Sequence, residues 1–300
     1  MSGPYHVLTL DGGGLRGIFT AAVLTEIESA LGPAFVDVFD LLVGTSTGGI
    51  IALGLASGRT CREMLDFYRE AGASIFGRPR RLRRLNGPKH DRTALDAVLQ
   101  RRFGEMRMND LAKPVCITAY ELVHGTPRVW KDDHAPGLRW GGDQLVWKVA
   151  ASTSAAPTYL APVQMGEADS LVDGGVWANN PAMVGVIEAI RYNGRGLGDL
   201  RLLSVGTTSQ PMRIAGHHKA LSMGSLKWAI NALSLLQGST SAAVDHQVRL
   251  LLGDAYLRLD SERTRRIALD DVQACGPLQE WGHGVGRMNL DKVRKLLDLR

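Results

Sequence analysis

Phe39-Asp40-Leu41-Leu42-Val43-Gly44-Thr45-Ser46-Thr47-Gly48-Gly49-Ile50-Ile51-Ala52-Leu53 is the stretch from which the rest of the chain can be read. Phe39 to Val43 is short and apolar and predicts a buried strand. Gly44 to Gly48 fits G-x-S-x-G, and Ile50 to Ala56 continues as a helix of small and apolar residues. A serine on a tight strand-to-helix turn takes a strained backbone conformation and presents its hydroxyl at the strand end. Side chains two positions to either side would collide with the neighbouring strand or helix, which is why glycine stands at both. The helix starting there adds about half a positive charge beside a developing oxyanion. A glycine-rich turn that only packs a helix on a sheet spells the same letters. The strand–turn–helix context favours the nucleophile.

Upstream, Tyr5 to Leu10 predicts a strand, Asp11-Gly12-Gly13-Gly14 breaks it, and Arg16 to Leu31 has helical spacing of Ile18, Ala22, Ile27 and Leu31 before Gly32-Pro33. Gly12, Gly14 and Gly17 fit G-x-G-x-x-G, the dinucleotide fingerprint, which also expects an acid at the far end of the next strand. Asp37 and Asp40 lie before Leu41 to Val43, at the wrong end. The other reading is an oxyanion nest: converging glycine amides at a helix start, beside Ser46 if the two strands are neighbours. It fits better, and nucleotide binding stays as the alternative. Arg16 would fix this loop or steady a substrate phosphate, unless it only makes a surface ion pair.

Downstream, helices are predicted over Arg62 to Ile75, Ala94 to Phe103, Gln144 to Ala151 and Pro181 to Tyr192. Strands are predicted over Val115 to Leu122, Pro127 to Trp130, Leu171-Val172 and Arg201 to Val205. Beyond Gly206 the pattern is mainly helical, over Leu221 to Leu236, Ala242 to Leu252 and Asp291 to Leu299, with a candidate strand at Tyr256 to Leu259. Alternating strands and helices predict an α/β fold with helices on both faces of a sheet. No linker divides the chain, so residues 1–300 are expected to form one domain, with a core over about 5–210 and a helical part over about 211–300.

A serine nucleophile needs a base. Eight histidines are present, and His283, within Gly282 to Gly286, is the best placed for a histidine-dependent esterase; His217 and His218 have no distinctive surroundings, and His246 sits inside a helical pattern. Asp173 ends a strand stub and precedes two glycines. An ordinary carboxylate, titrating near 4, is a weak base at neutrality, but burial would raise it. A turn aspartate bonded to its own backbone is the plainer alternative.

The composition permits such an enzyme and excludes other classes. Hydrophobic residues make up 45% of the 300, the formal net charge is +5 and the pI is near 9.2. Disorder is thereby excluded as a default. Cys61, Cys116 and Cys275 are sparse and scattered, which reads as neither a disulfide framework nor a zinc site. No secretory leader pattern opens the chain and no apolar run approaches the roughly 18 residues of a membrane span. A cytoplasmic chain that meets membranes from the surface is expected.

Together DGGGLRG (11–17), GTSTG (44–48), ASTSAAP (151–157), DGG (173–175) and LLSVGT (202–207) resemble the patatin-like phospholipase family, in family order over the first two-thirds of the chain. The resemblance implies a three-layer α/β/α sandwich with a mainly parallel sheet and a nucleophile elbow. It implies a dyad of Ser46 as nucleophile and Asp173 as base, without histidine. It assigns the amides of Gly12, Gly13 and Gly14 to an oxyanion hole, with Arg16, Gly44, Gly48 and Gly174 supporting the motifs. It implies hydrolysis of phospholipid or lysolipid acyl esters through an acyl-enzyme, without metal or cofactor. The opening half resembles bacterial members in particular, some of which are anti-phage effectors switched on by cyclic nucleotides. An activator and membrane damage as output are thereby implied.

Arg78, Arg80, Arg81, Arg83, Arg84, Lys89 and Arg92 gather in one segment. For a lipid enzyme these would dock anionic headgroups at the inner membrane surface; a solvated loop or an oligomer contact is the alternative. Nucleic acid is not expected, since no binding module accompanies the charge.

Overall fold

In the computed structural model, residues 3–76, 87–138, 141–166, 169–209, 224–263 and 267–299 are described. The basic residues Arg78 to Arg84 and the histidines His217 and His218 lie outside them.

The central strand is β1 (Tyr5–Leu10), buried along its whole length. It pairs in parallel with β2 (Leu41–Thr45) on one edge and β6 (Leu200–Val205) on the other. β3 (Val115–Glu121) lies parallel to β2, and β7 (Tyr256–Leu259) parallel to β6. β4 (Thr126–Lys131) and β5 (Leu171–Asp173) both run against β3. The order is β4-β3-β2-β1-β6-β7, with β5 beside β3.

Side chains alternate along each strand, so each strand feeds two cores. Val7, Leu41, Val43, Cys116 and Leu202 face α6 (Ala182–Arg191) and α7 (Ser225–Leu252). Leu8, Leu10, Leu42, Ile117, Leu203 and Val205 face the other layer. That layer holds α1 (Gly17–Leu31), α2 (Thr47–Ala56), α3 (Cys61–Phe76), α4 (Arg92–Phe103), α5 (Val146–Thr153), α8 (Cys275–Met288) and α9 (Leu290–Leu296). The result is the expected three-layer sandwich with a mainly parallel sheet. Parallel strands covered on both faces need near-continuous apolar runs, which is how β1 and β2 read.

The C-terminal third differs from the sequence reading in three places. The candidate strand Tyr256 to Leu259 is present as β7 and joins the sheet, so the core extends beyond the expected limit near residue 210. The two helices expected between 221 and 252 are one, Ser225–Leu252. Thr240 Oγ1 donates to the Leu236 carbonyl at 2.8 Å, so its hydroxyl is satisfied within the helix. Third, α8 runs through the glycine-rich stretch Gly282 to Gly286, for which no element is predicted. A Cβ at Gly282 would lie 2.4 Å from the Phe19 carbonyl oxygen, and one at Gly286 would lie 2.8 Å from Glu26 Cβ. Spaced four apart, these glycines share a face and let α8 press onto α1, so packing overrides their low helix propensity. No helix among the described residues is long and apolar enough to cross a membrane.

Candidate active site

Leu10 of β1 is paired with Gly44 of β2 and with Val205 of β6. The turns after these three strands therefore open at one edge of the sheet. Strand order reverses between β1 and β6, and in open α/β sheets ligands bind in the crevice at such a reversal.

Sheet register also brings Asp173 to this edge. β4 fills one side of β3 from Cys116 to Glu121. On the other side β2 stops with Thr45 opposite Thr118, and β5 takes over with Asp173 opposite Ala119. β2 runs with β3 and β5 runs against it, so their C-terminal ends meet head to head. Ser46 follows one end and Asp173 closes the other.

Ser46 has φ 53° and ψ −122°, a left-handed conformation that costs a non-glycine residue on the order of 1–3 kcal/mol. The two glycines of the motif allow it. A Cβ at Gly44 would lie 2.5 Å from the Gly48 carbonyl oxygen, and one at Gly48 would lie 2.2 Å from that of Leu10. The ASTSAAP segment, which the sequence reading quoted without a role, holds both ends. Thr153 Oγ1 accepts the Ser46 amide at 2.8 Å and donates to the Thr118 carbonyl at 2.6 Å. The Ala155 carbonyl accepts the Asp173 amide at 3.1 Å.

Asp173 is 4% exposed. Burial pushes its carboxyl up to about 6, while hydrogen bonds from the Ser46 hydroxyl and the Gly175 amide pull the other way. The Gly175 amide donates to Asp173 Oδ1 at 2.7 Å, so this residue does cap its own turn as well. Gly174 is pressed against Thr118, where a Cβ would lie 2.1 Å from Oγ1.

In the glycine loop the three amides are not equivalent. The Gly12 amide, expected among the oxyanion donors, donates to the Asn179 carbonyl at 2.9 Å. The amides of Gly13 and Gly14 have no acceptor among the described residues. Gly14 has φ +58°, and a Cβ there would lie 2.4 Å from the Leu269 carbonyl oxygen, so only glycine fits. Arg16 donates from Nε to the Gly13 carbonyl and from a terminal nitrogen to that of Thr208, each at 3.2 Å, bracing the loop. Beneath it Arg258 of β7 contacts Asp11 at 2.6 Å and Asp260 at 2.9 Å. Burial pushes Asp11 up to about 6, with the Arg258 guanidinium opposing it.

Ser46, Asp173, Gly13 and Gly14 line one cavity. Its other walls are chiefly apolar, among them Ile50, Phe67, Leu95, Leu160 and Leu269. Such a chamber, with a few convergent polar groups, suits an aliphatic chain. Phe67, Tyr68 and Ile75 of α3 belong to this wall. Gln237 of α7 and Leu269 close it from the C-terminal region; their distance in sequence from any motif kept them out of the sequence reading.

Among the described residues, which leave out His217 and His218, no histidine lines the cavity. His283 sits on α8 with Nδ1 3.0 Å from Glu26 Oε2. Asp40 accepts the His6 amide at 2.8 Å, at the strand ends opposite Ser46, where it cannot complete a dinucleotide site. Two members of the basic segment are internally engaged. Lys89 pairs with Asp270 at 2.5 Å, and Arg92 with Asp96 at 2.8 Å.

A family model described as patatin-like phospholipase matches residues 8–186, which include the glycine loop, the elbow and Asp173. A cGAMP-activated phospholipase of Pseudomonas aeruginosa is 35% identical over 87% of this chain and 79% of its own. One of Vibrio cholerae is 33% identical over 90% of this chain and 86% of its own. The crystal structure of VipD from Legionella pneumophila superposes with a TM-score of 0.50 at 12% identity, covering 99% of this chain and 67% of that one, a likeness of fold alone. With the matched region spanning most of the sheet and the whole of the elbow, this chain belongs to the patatin-like phospholipase family.

Proposed function

We propose that this protein hydrolyses acyl esters of phospholipids with a Ser46–Asp173 dyad and an acyl-enzyme intermediate. The observation that carries the reading is the head-to-head meeting of β2 and β5, which sets a strained serine against a buried carboxyl held at about 6. Asp173 takes the hydroxyl proton as Ser46 Oγ attacks the ester carbonyl. The Gly13 and Gly14 amides receive the oxyanion. Collapse expels the lysolipid alcohol, which recovers the proton from Asp173 and leaves the fatty acyl group on Ser46. Asp173 then deprotonates a water that attacks this ester, and the fatty acid leaves as Ser46 regains its proton. The apolar cavity supplies the site for the departing chain. Because the substrate resides in a bilayer, the enzyme would work at a membrane surface.

The names of the Pseudomonas and Vibrio relatives carry the proposal one step further. Those names support activation by cGAMP, and the resemblance to bacterial effector members supports membrane degradation as an antiviral output; these are the regulation and role we assign. The test is fatty-acid release from phospholipid vesicles, with and without cGAMP, by wild type, Ser46→Ala and Asp173→Ala. Release by the wild type alone, stimulated by cGAMP, is expected. Release by Ser46→Ala would overturn the dyad, and release indifferent to cGAMP would overturn the regulation.

A further inference from the structure

We infer that Thr207 is a positioning residue for the oxyanion site: its hydroxyl holds the Gly12 carbonyl away from the cavity and thereby turns the Gly13 amide towards Ser46. The inference rests on the reading of Gly13 and Gly14 as oxyanion donors given above.

The argument is one of peptide geometry. In a planar trans peptide the carbonyl of one residue and the amide of the next point in opposite directions. Thr207 Oγ1 donates to the Gly12 carbonyl oxygen at 2.8 Å, in a buried contact across 195 positions of sequence. Thr207 is 4% exposed and is not among the residues lining the cavity, whereas Gly13 is. The carbonyl is thus anchored behind the loop, and the Gly13 N–H must point to the other side. Arg16 does the same for the following peptide. Its backbone amide and its Nε both reach the Gly13 carbonyl at 3.2 Å, which directs the Gly14 N–H oppositely.

Thr207 also abuts the loop directly. A Cβ built at Gly13 would lie 2.3 Å from Thr207 Oγ1 and 2.6 Å from its Cβ, so the threonine fills the space behind this peptide. Its own position is fixed by the sheet. The preceding Gly206 amide bonds to the Leu259 carbonyl at 2.9 Å, and the following Thr208 amide to Asp260 Oδ1 at 3.0 Å. Asp260 is in turn tied through Arg258 to Asp11, the residue that opens the loop. Preorganised donors act because they need no reorientation as charge develops. A Gly12–Gly13 peptide free to rotate would lose that advantage while leaving the cavity intact.

The test compares Thr207→Val, which keeps the shape and removes the hydroxyl, with Thr207→Ser, which keeps the hydroxyl. Thr207→Ala serves as a second deletion free of the valine's extra methyl. A fluorophosphonate reports on Ser46: Oγ bonds to phosphorus, fluoride leaves, the proton passes to Asp173, and the phosphoryl oxygen occupies the oxyanion site. Labelling and vesicle hydrolysis are measured with cGAMP present throughout. Deleting one oxyanion donor outright slows catalysis on the order of 100- to 1000-fold, so loosening one should cost at least about 10-fold in labelling rate and kcat. KM and the acid limb of the pH profile should stay as in the wild type, and Thr207→Ser should recover most of the rate. Wild-type labelling by Thr207→Val would overturn the inference. So would a serine variant as slow as the valine, or KM and the pH midpoint shifting together with kcat. If the wild type labels at a residue other than Ser46, the proposed function itself falls, and this inference with it.

Discussion

Replacing Asp173 by asparagine should make the protein more stable at the pH where the enzyme works, while abolishing its activity. The carboxyl is 4% exposed and is held at about 6, against an ordinary value of 3.8. Its folded-state pKa is raised, so the folded chain binds the proton more tightly than the unfolded chain, and stability falls as pH rises from about 4 to 6. Above pH 6 the cost levels off at about 3 kcal/mol, at 1.36 kcal/mol per pK unit. Asparagine has the same shape, retains an oxygen to accept the Gly175 amide and carries no charge to bury. For a chain of 300 residues, with an unfolding entropy of about 2.1 cal/mol/K per residue, 3 kcal/mol corresponds to a rise of about 5 °C in Tm. Calorimetry of both proteins at pH 8 and pH 4.5 is the assay. At pH 4.5 the advantage should shrink to about 1 kcal/mol, because the wild-type carboxyl is then protonated when folded. On the proposed mechanism the same ionisation sets the activity. Hydrolysis by the wild type should fall about tenfold per pH unit below about pH 6, as the base becomes protonated. An Asp173→Asn protein less stable than wild type at pH 8, equally stabilised at both pH values, or paired with an acid limb near pH 4, would refute the reasoning.

Other expected outcomes address the histidines and the helix packing. His283→Ala should keep hydrolysis within about twofold of wild type, since His283 contacts Glu26 and not the cavity; loss of activity with unchanged Tm would restore a histidine mechanism. Gly282→Ala should destabilise by about 1–3 kcal/mol in urea unfolding, because the new Cβ would press on the Phe19 carbonyl. His134 should make stability decline in alkali. Burial alone would lower its pKa, but hydrogen bonds to Asp132 and Glu188 carry it up to about 9. A raised folded pKa means that its contribution is complete below about 6.5 and is lost as pH rises through 9. Urea unfolding between pH 7 and 10 should therefore fall more steeply for wild type than for His134→Gln.

What could be read in advance from the residues and what could not divide along a physical line. The elbow, the glycine loop and the alternation of β1 and β2 are local: each is a backbone conformation or a periodicity that a few consecutive residues must encode. The sequence therefore gives Ser46, Gly44 and Gly48 their geometry directly, and the family resemblance adds Asp173. The contacts that hold those groups are not local. Thr153 and Ala155 hold the Ser46 and Asp173 amides two positions apart, which only the register of β5 against β3 reveals. Gly12 looks equivalent to Gly13 and Gly14 in DGGG, and only the Asn179 carbonyl, 167 residues on, separates them. Helix α8 shows the same limit from the other side. Its glycines argue for a loop by propensity, and the closeness of α1 reverses their meaning. The residues proposed to carry the reaction are thus the legible ones, because strain and glycine are visible in sequence. The residues that aim them are threonines and backbone carbonyls, ordinary letters whose role exists only once the sheet is assembled. Substitutions there should separate rate from binding, as the Thr207 variants are designed to do, whereas substitutions at the motif glycines should remove the fold and the activity together.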